Sequence, residues 1–417
     1  MTIIEFFDKE SHIDNIVSTL LCKPEKVIFI GDGARRMNRC IEKYKSVAES
    51  RGLDVTFETK NVNRNSLMSI VGAIEDVIDE NEDCIIDLSG GEDLFLVAVG
   101  IVYGEDADRI KLHRFNFSNG SMTDCDSDGI LCASEPMEMT VEEAVTINGG
   151  RIVFDDEKSN GTEDWDFTED FIDDVYVMWS ICRKNPSRWN AMITTLDRYL
   201  ALRPESEAEC LSVYVNIEEA TITLRDKGEK FVVFNDIFKK LSSLNVISNF
   251  RYDDTSFSFD FKNRQVMKCL TKAGQVLELL IAIMAVESDT DDGTPFYNDV
   301  MTGVSIDWDG EIHPDFEPDI ENEIDVILMK GMIPVFISCK NGAITIDELY
   351  KLSVVAERFG GKYVRKVLVA TELEKMGIKE TYIKARADAM GIRILDRVDE
   401  MEEETLAKEI KKLWCAN

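Results

Sequence analysis

The chain has 417 residues, 47 basic and 80 acidic side chains and a net charge of −33, a length that exceeds one ordinary core and points to two or three domains. Hydrophobic residues make up 44%, so the acidity does not signal disorder; no apolar run reaches the ~20 residues that cross a bilayer, and the acid-bearing N-terminus lacks the bases of a secretory signal. Ten cysteines without a C-x-x-C pair, and three scattered histidines (His12, His113, His313), argue against zinc ribbons, a disulfide framework and a Ser-His-Asp triad, and for reduced thiols in the cytoplasm.

Residues 1–260 carry −24 of the charge and residues 261–417 the other −9, so neither part offers a broad basic surface to nucleic acid. Lys26–Ile30 reads as a buried strand running into Gly31-Asp32-Gly33, followed by a helix over Arg39–Glu49 that Gly52 stops. Leu53–Thr59 alternates as a strand. Leu67, Ile70, Val71, Ile74, Val77 and Ile78 hold a helical stripe. Cys84–Ile86 is a strand ending in Asp87-Leu-Ser-Gly-Gly-Glu-Asp93, then a helix over Leu94–Tyr103 and a strand over Arg109–Phe117. This alternation predicts an open parallel sheet with right-handed crossovers.

Residues 145–165, with Gly149-Gly150 and a run of acids, read as linker. Residues 166–203 read as two helices broken at Asn185-Pro186. From Lys230 the order is strand, helix (Asn235–Ser243) and a hairpin about Asp253-Asp254, a winged-helix-like string or a plain connecting layer. Residues 266–417 predict a helix (Ala273–Glu287), strands at Asn298–Trp308, Ile324–Met329 and Pro334–Cys339, a helix (Thr345–Phe359), a strand (Val364–Ala370), a helix (Glu380–Met390), a strand (Ile392–Leu395) and a last helix (Glu402–Leu413).

Asp325 lies in one of two strands joined by a tight Lys330-Gly331 turn, and Lys340 ends the other. A carboxylate and a lysine so placed meet on one side of a sheet. Carboxylates can hold a hard divalent cation that polarises a phosphodiester and lowers the pKa of a bound water. The lysine stabilises charge that develops in the transition state. Asp347, Glu348 and Lys351 on the next helix either line this site or form a solvated face. In the amino-terminal part, Gly31-Asp-Gly-Ala-Arg35 and Ser89-Gly-Gly-Glu-Asp93 lie at carboxyl ends of strands, where open parallel sheets bind ligands. Glycine admits close backbone approach to a phosphate, or serves only a packed turn.

With Ala273-Gly-Gln-Val-Leu-Glu278 before it, the Asp325/Lys340 segment resembles the PD-(D/E)xK, restriction-endonuclease-like nucleases. The resemblance implies that Glu278 and Asp325 hold Mn2+ or Mg2+ with Glu323 as accessory, and that Lys340 is the catalytic lysine. The family usually carries Asp or Glu where Ser338 stands. Ser338 is then a weak or water-mediated ligand, or the site is slow or inactive. Asp87-Leu-Ser-Gly-Gly91 resembles the (N/D)-x-(S/T)-G-G turn of CARF domains, the CRISPR-associated Rossmann fold, with Glu92-Asp93 in place of the Thr-Lys that often follows. That likeness implies a cyclic oligoadenylate site at Gly31, Asp32, Gly33, Ala34, Arg35, Ser89, Gly90, Gly91, Glu92 and Asp93.

A CARF domain ahead of a PD-(D/E)xK domain is the layout of the Card/Can group of type III CRISPR ancillary nucleases. The resemblance implies an α/β chain with a Rossmann-like sensor over residues 1–140, a linker and helical or winged-helix-like connector over 141–265, and a restriction-endonuclease-like domain over 266–417. It further implies a homodimer in which cyclic tetra-adenylate activates a metal-dependent endonuclease that cuts DNA and, in some members, RNA. The alternative is a ligand-sensing, DNA-binding transcription regulator with an inactive nuclease-like domain.

Overall fold

Thr2–Phe6 (β1) is the middle of the five parallel strands of the first sheet, although the sequence reading places no strand there. In this computed structural model every residue is described except 118–119, 127–128, 133–136, 158–160, 202–209, 227–231, 312–320, 343, 374–376 and 416–417. His313 and the start of the predicted strand at Lys230 lie outside the described residues. After β1 come α1 (Val17–Cys22), β2 (Lys26–Gly31), α2 (Ala34–Ser50), β3 (Thr56–Asn61), α3 (Leu67–Glu80), β4 (Cys84–Asp87), α4 (Asp93–Asp106), β5 (Ile110–Asn116), β6 (Ser121–Asp124) and β7 (Gly129–Cys132).

The sheet order is β3-β2-β1-β4-β5-β6-β7. The five strands from β3 to β5 are parallel, and β6 and β7 extend the edge antiparallel. The chain winds outward from β1 to β3 and then returns past it to β4. The strand order therefore reverses beside β1, which is where doubly wound sheets leave a crevice. Buried Ile4, Phe6, Ile28, Ile30 and Ile86 face α3 and α4 on one side.

Next come α5 (Val141–Ile147), β8 (Arg151–Val153), α6 (Glu169–Cys182), α7 (Pro186–Leu200), β9 (Ser212–Asn216), α8 (Ile217–Asp226), α9 (Asn235–Ser243), β10 (Ile247–Tyr252), β11 (Ser256–Phe261) and α10 (Arg264–Cys269). The linker reading of residues 145–165 is corrected here. Thr140 and Glu143 form a reciprocal cap that starts α5, and Arg151–Val153 pairs with the sheet of the C-terminal region. Three residues are too few for a period-2 pattern to show. Of the winged-helix string, α9 buries Ile237, Phe238 and Leu241, and the β10–β11 hairpin pairs with β9 into a three-stranded antiparallel sheet.

The remaining elements are α11 (Gln275–Val286), β12 (Asp299–Asp307), β13 (Glu321–Lys330), β14 (Ile333–Lys340), α12 (Ile346–Gly360), β15 (Arg365–Ala370), α13 (Ile378–Ala389), β16 (Ile392–Leu395) and α14 (Glu403–Lys411). They match the predicted elements within a few residues. The sheet order is β16-β15-β14-β13-β12-β8, parallel from β16 to β14 and antiparallel beyond. One face of this sheet meets α11, α6 and α14; the other packs α12 in a core that also takes in Ile3 and Phe29 from the first sheet and Tyr44 from α2. That shared core binds the two sheets into one packed body.

Candidate functional site

Asp325 points from β13 toward β14. Its Oδ2 accepts hydrogen bonds from the backbone N–H of Cys339 at 2.6 Å and from Ser338 Oγ at 3.1 Å. Lys340 Nζ lies 3.5 Å from the same oxygen and 3.4 Å from Glu348 Oε2 on α12. The tight β13–β14 turn makes this possible, because it brings Asp325 level with the strand end that carries Ser338 and Lys340. Ser338 therefore spends its hydroxyl holding Asp325 in position.

Glu278 sits in α11, whose residues Gln275 to Ala285 are all buried. A carboxylate on such a helix is costly unless paired. Burial and then the neighbouring Asp325 push its carboxyl up to about 8, with Lys272 opposing. Asp325 is itself raised, first by burial. Burial pulls Lys340 down, but Asp325 and Glu348 more than offset it and hold the ammonium above its usual range. Glu323 is engaged elsewhere, with Lys272 Nζ 2.6 Å from its Oε1.

Asp325, Ser338 and Lys340 open on a cleft of about 290 Å³ that Glu323, Glu348 and Lys351 also line, while Glu278 is buried outside that lining. Glu348 and Lys351 thus line the cleft, while Asp347 stays exposed on α12. Lys272 was not singled out from the sequence; its signal was its place one turn ahead of the helix that carries Glu278. Among the described residues no three His, Cys, Asp or Glu side chains stand together as a ready metal cage. The donor set does fit a hard ion bound by one or two carboxylates and several waters: Glu278 and Asp325 are buried oxygen donors that repel each other.

The two glycine turns flank the carboxyl end of β1. Gly91 has φ +99°, and a Cβ there would stand 2.7 Å from Phe6 Cβ, so the position demands glycine. Gly90 passes close to Phe6 O and to Asp14. Ser89 Oγ donates to Asp87 Oδ1 at 2.6 Å and accepts from Phe115 N–H at 2.8 Å, which commits it to shaping the turn. Glu92 pairs with Arg64 at 3.0 Å. On the other side Asp32, Gly33, Ala34 and Arg35 are exposed, and Gly31 is buried against Phe7 and Met37. Asn61 Oδ1 accepts the N–H groups of Gly33 and Ala34 at 3.0 and 3.1 Å, so the start of α2 is already capped. Beneath the turns, Glu5 is buried against Asp87 and His113 is fully buried nearby.

No protein-family model and no curated protein matches the sequence. Solved structures do. Protein VC1899 from Vibrio cholerae superposes with a TM-score of 0.72 at 18% identity, covering 100% of this chain and 99% of that one. Can2 from Sulfobacillus thermosulfidooxidans, solved in complex with cyclic tetra-adenylate, gives 0.65 at 12% identity over 100% of this chain and 99% of that one. The mixed α/β fold of this chain, with its parallel-stranded first sheet, is thus shared from end to end with these two proteins.

Proposed function

We propose that this chain is a metal-dependent endonuclease switched on by a cyclic oligoadenylate, cyclic tetra-adenylate above all, in type III CRISPR antiviral defence. The observation that carries the reading is the buried Glu278–Asp325 pair set beside Lys340, in a chain that shares its whole fold with a cyclic tetra-adenylate-bound protein. Glu278 and Asp325 would hold Mg2+ or Mn2+, which when bound polarises the phosphate and activates water. Lys340 offsets charge on the scissile phosphate. Ser338 orients Asp325 rather than ligating the ion. DNA is the first substrate to test and RNA the second.

We assign messenger binding to the crevice between the Gly31–Arg35 and Ser89–Asp93 turns, on residues 1–140. A homodimer is supported by α4, which leaves Leu96, Val97 and Ile101 exposed, with open space above Gly100 and Gly104. A cyclic ligand with repeated units suits a two-fold axis between identical sensors. The deciding experiment incubates purified protein with plasmid and with single-stranded DNA and RNA, with and without cyclic tetra-adenylate and Mn2+. Cutting that needs both additions is expected. Absence of cutting under every combination, by protein shown to be folded, would sink the nuclease reading.

A further inference from the structure

Lys340 stands between two carboxylates on different elements. Asp325 on β13 is 3.5 Å away and Glu348 on α12 is 3.4 Å away. Asp325 is buried to 15% side-chain exposure and Glu348 to 29%, so Glu348 is the wetter partner at the cleft mouth. Both hydrogen bonds to the Asp325 carboxylate, like the lysine contact, go to Oδ2. A divalent ion bound at Asp325 and Glu278 would meet the ammonium at close range, and two cations cannot share that oxygen without strong repulsion. The ammonium must then lean away, and Glu348 is the carboxylate already in reach.

We propose that Glu348 is a positioning residue for Lys340. Lys340 is paired with both Asp325 and Glu348. With a divalent ion held at Asp325, Lys340 would pair with Glu348 alone and stay at the cleft. The sequence carries serine at the position where the resembled nucleases place a third acid, and the acid facing the lysine here comes from α12 instead. Glu348 therefore lowers the cost of displacing Lys340 from Asp325, and it does so without touching the ion. This inference rests on the nuclease reading.

The test measures Mn2+ binding by isothermal titration calorimetry on the full chain, in four proteins. These are the parent, Glu348→Gln, Lys340→Met and the double variant, each checked by thermal melting. Glu348→Gln is expected to weaken Mn2+ binding about fivefold, the scale of one partly exposed ion pair. In the Lys340→Met background the same change should have no effect, since there is no ammonium to displace. An equal loss in both backgrounds would make Glu348 a metal ligand and overturn the proposal, as would no loss in either. An Asp325→Asn control separates this from failure of the parent reading: if it binds Mn2+ as the parent does, the metal site itself is misplaced.

Discussion

Lys362 Nζ lies 3.3 Å from Asp14 Oδ2, and the Tyr363 hydroxyl lies 3.3 Å from the other oxygen of that carboxylate. Asp14 is fully buried and backs directly onto Gly90 of the second glycine turn. Phe117 stacks on Tyr363 with ring centroids 4.1 Å apart. Two residues on, β15 begins, and it pairs with β14 at Ser338 and Lys340. Asp14 thus joins the glycine turn to the segment that leads into β15, the strand beside β14.

That arrangement predicts an uncoupling variant. Asp14→Asn preserves the shape but removes the charge that Lys362 answers. Cyclic tetra-adenylate should still bind, while its stimulation of cutting falls by roughly tenfold, within the range of coupling energies between sites. Calorimetry and cleavage assays on one preparation check it. An unchanged stimulation ratio would remove Asp14 from the connection.

Asp325→Asn keeps an acceptor for the Cys339 N–H but removes the charge that opposes Glu278. Cutting should fall by about 100-fold or more, since the metal loses a charged ligand. Melting should be unchanged or slightly higher, because a repelling buried charge is gone. Residual cutting that survives EDTA would contradict the assignment.

Ser338→Glu places a third acid against Asp325 Oδ2. Without metal the added repulsion should lower the melting midpoint. With Mn2+ the extra donor should recover it, giving a larger metal-induced shift than in the parent. Equal shifts in both proteins would mean that position 338 does not reach the ion.

Glu5 is buried, and among the described residues neither of its carboxyl oxygens has a hydrogen-bond donor. Burial first, and Asp87 second, hold its pKa well above the usual glutamate range. Between the usual and the raised value the folded state keeps a proton that the unfolded chain has lost, so this group's contribution to stability falls as pH rises. Glu5→Gln is always neutral. It should melt higher than the parent at pH 8, with the gain fading toward pH 5. A gain that is the same at both values would show that Glu5 does not titrate in this way.

Val97→Asp on α4 places a charge on the exposed apolar face, with little effect on the fold. If that face joins two copies, self-association should weaken by about tenfold or more. Sedimentation velocity over a concentration series reads this directly, and an unaltered dimer would move the interface elsewhere.

The sequence made the C-terminal sheet legible because its strands are long and apolar and its helices carry clear stripes. Asp325 and Lys340 could be paired because a two-residue turn leaves little freedom in register. The first sheet was legible in four of its parallel strands but not in β1, β6 or β7: all three are short, and in Thr2–Phe6 Glu5 breaks the apolar run. Without β1, the two glycine turns could not be seen as neighbours across one strand. Lys272 was missed, and the place of Glu348 left open, for another reason. A charged residue on a helix reads the same whether it faces water or another charge, and only packing decides which.

The pairing of β8 with β12 has a bearing on how the chain assembles during synthesis. Val153 meets Ser305, about 150 residues further along, so the edge of the second large sheet waits for a partner made much later. The parallel part of the first sheet, complete within the first 116 residues from β1 to β5, can form while the ribosome is still working on the middle region. Arg151–Val153 must stay unpaired through that interval. The acidic run Asp155-Asp156-Glu157 directly after it is suited to keep that short apolar edge from sticking to other nascent chains.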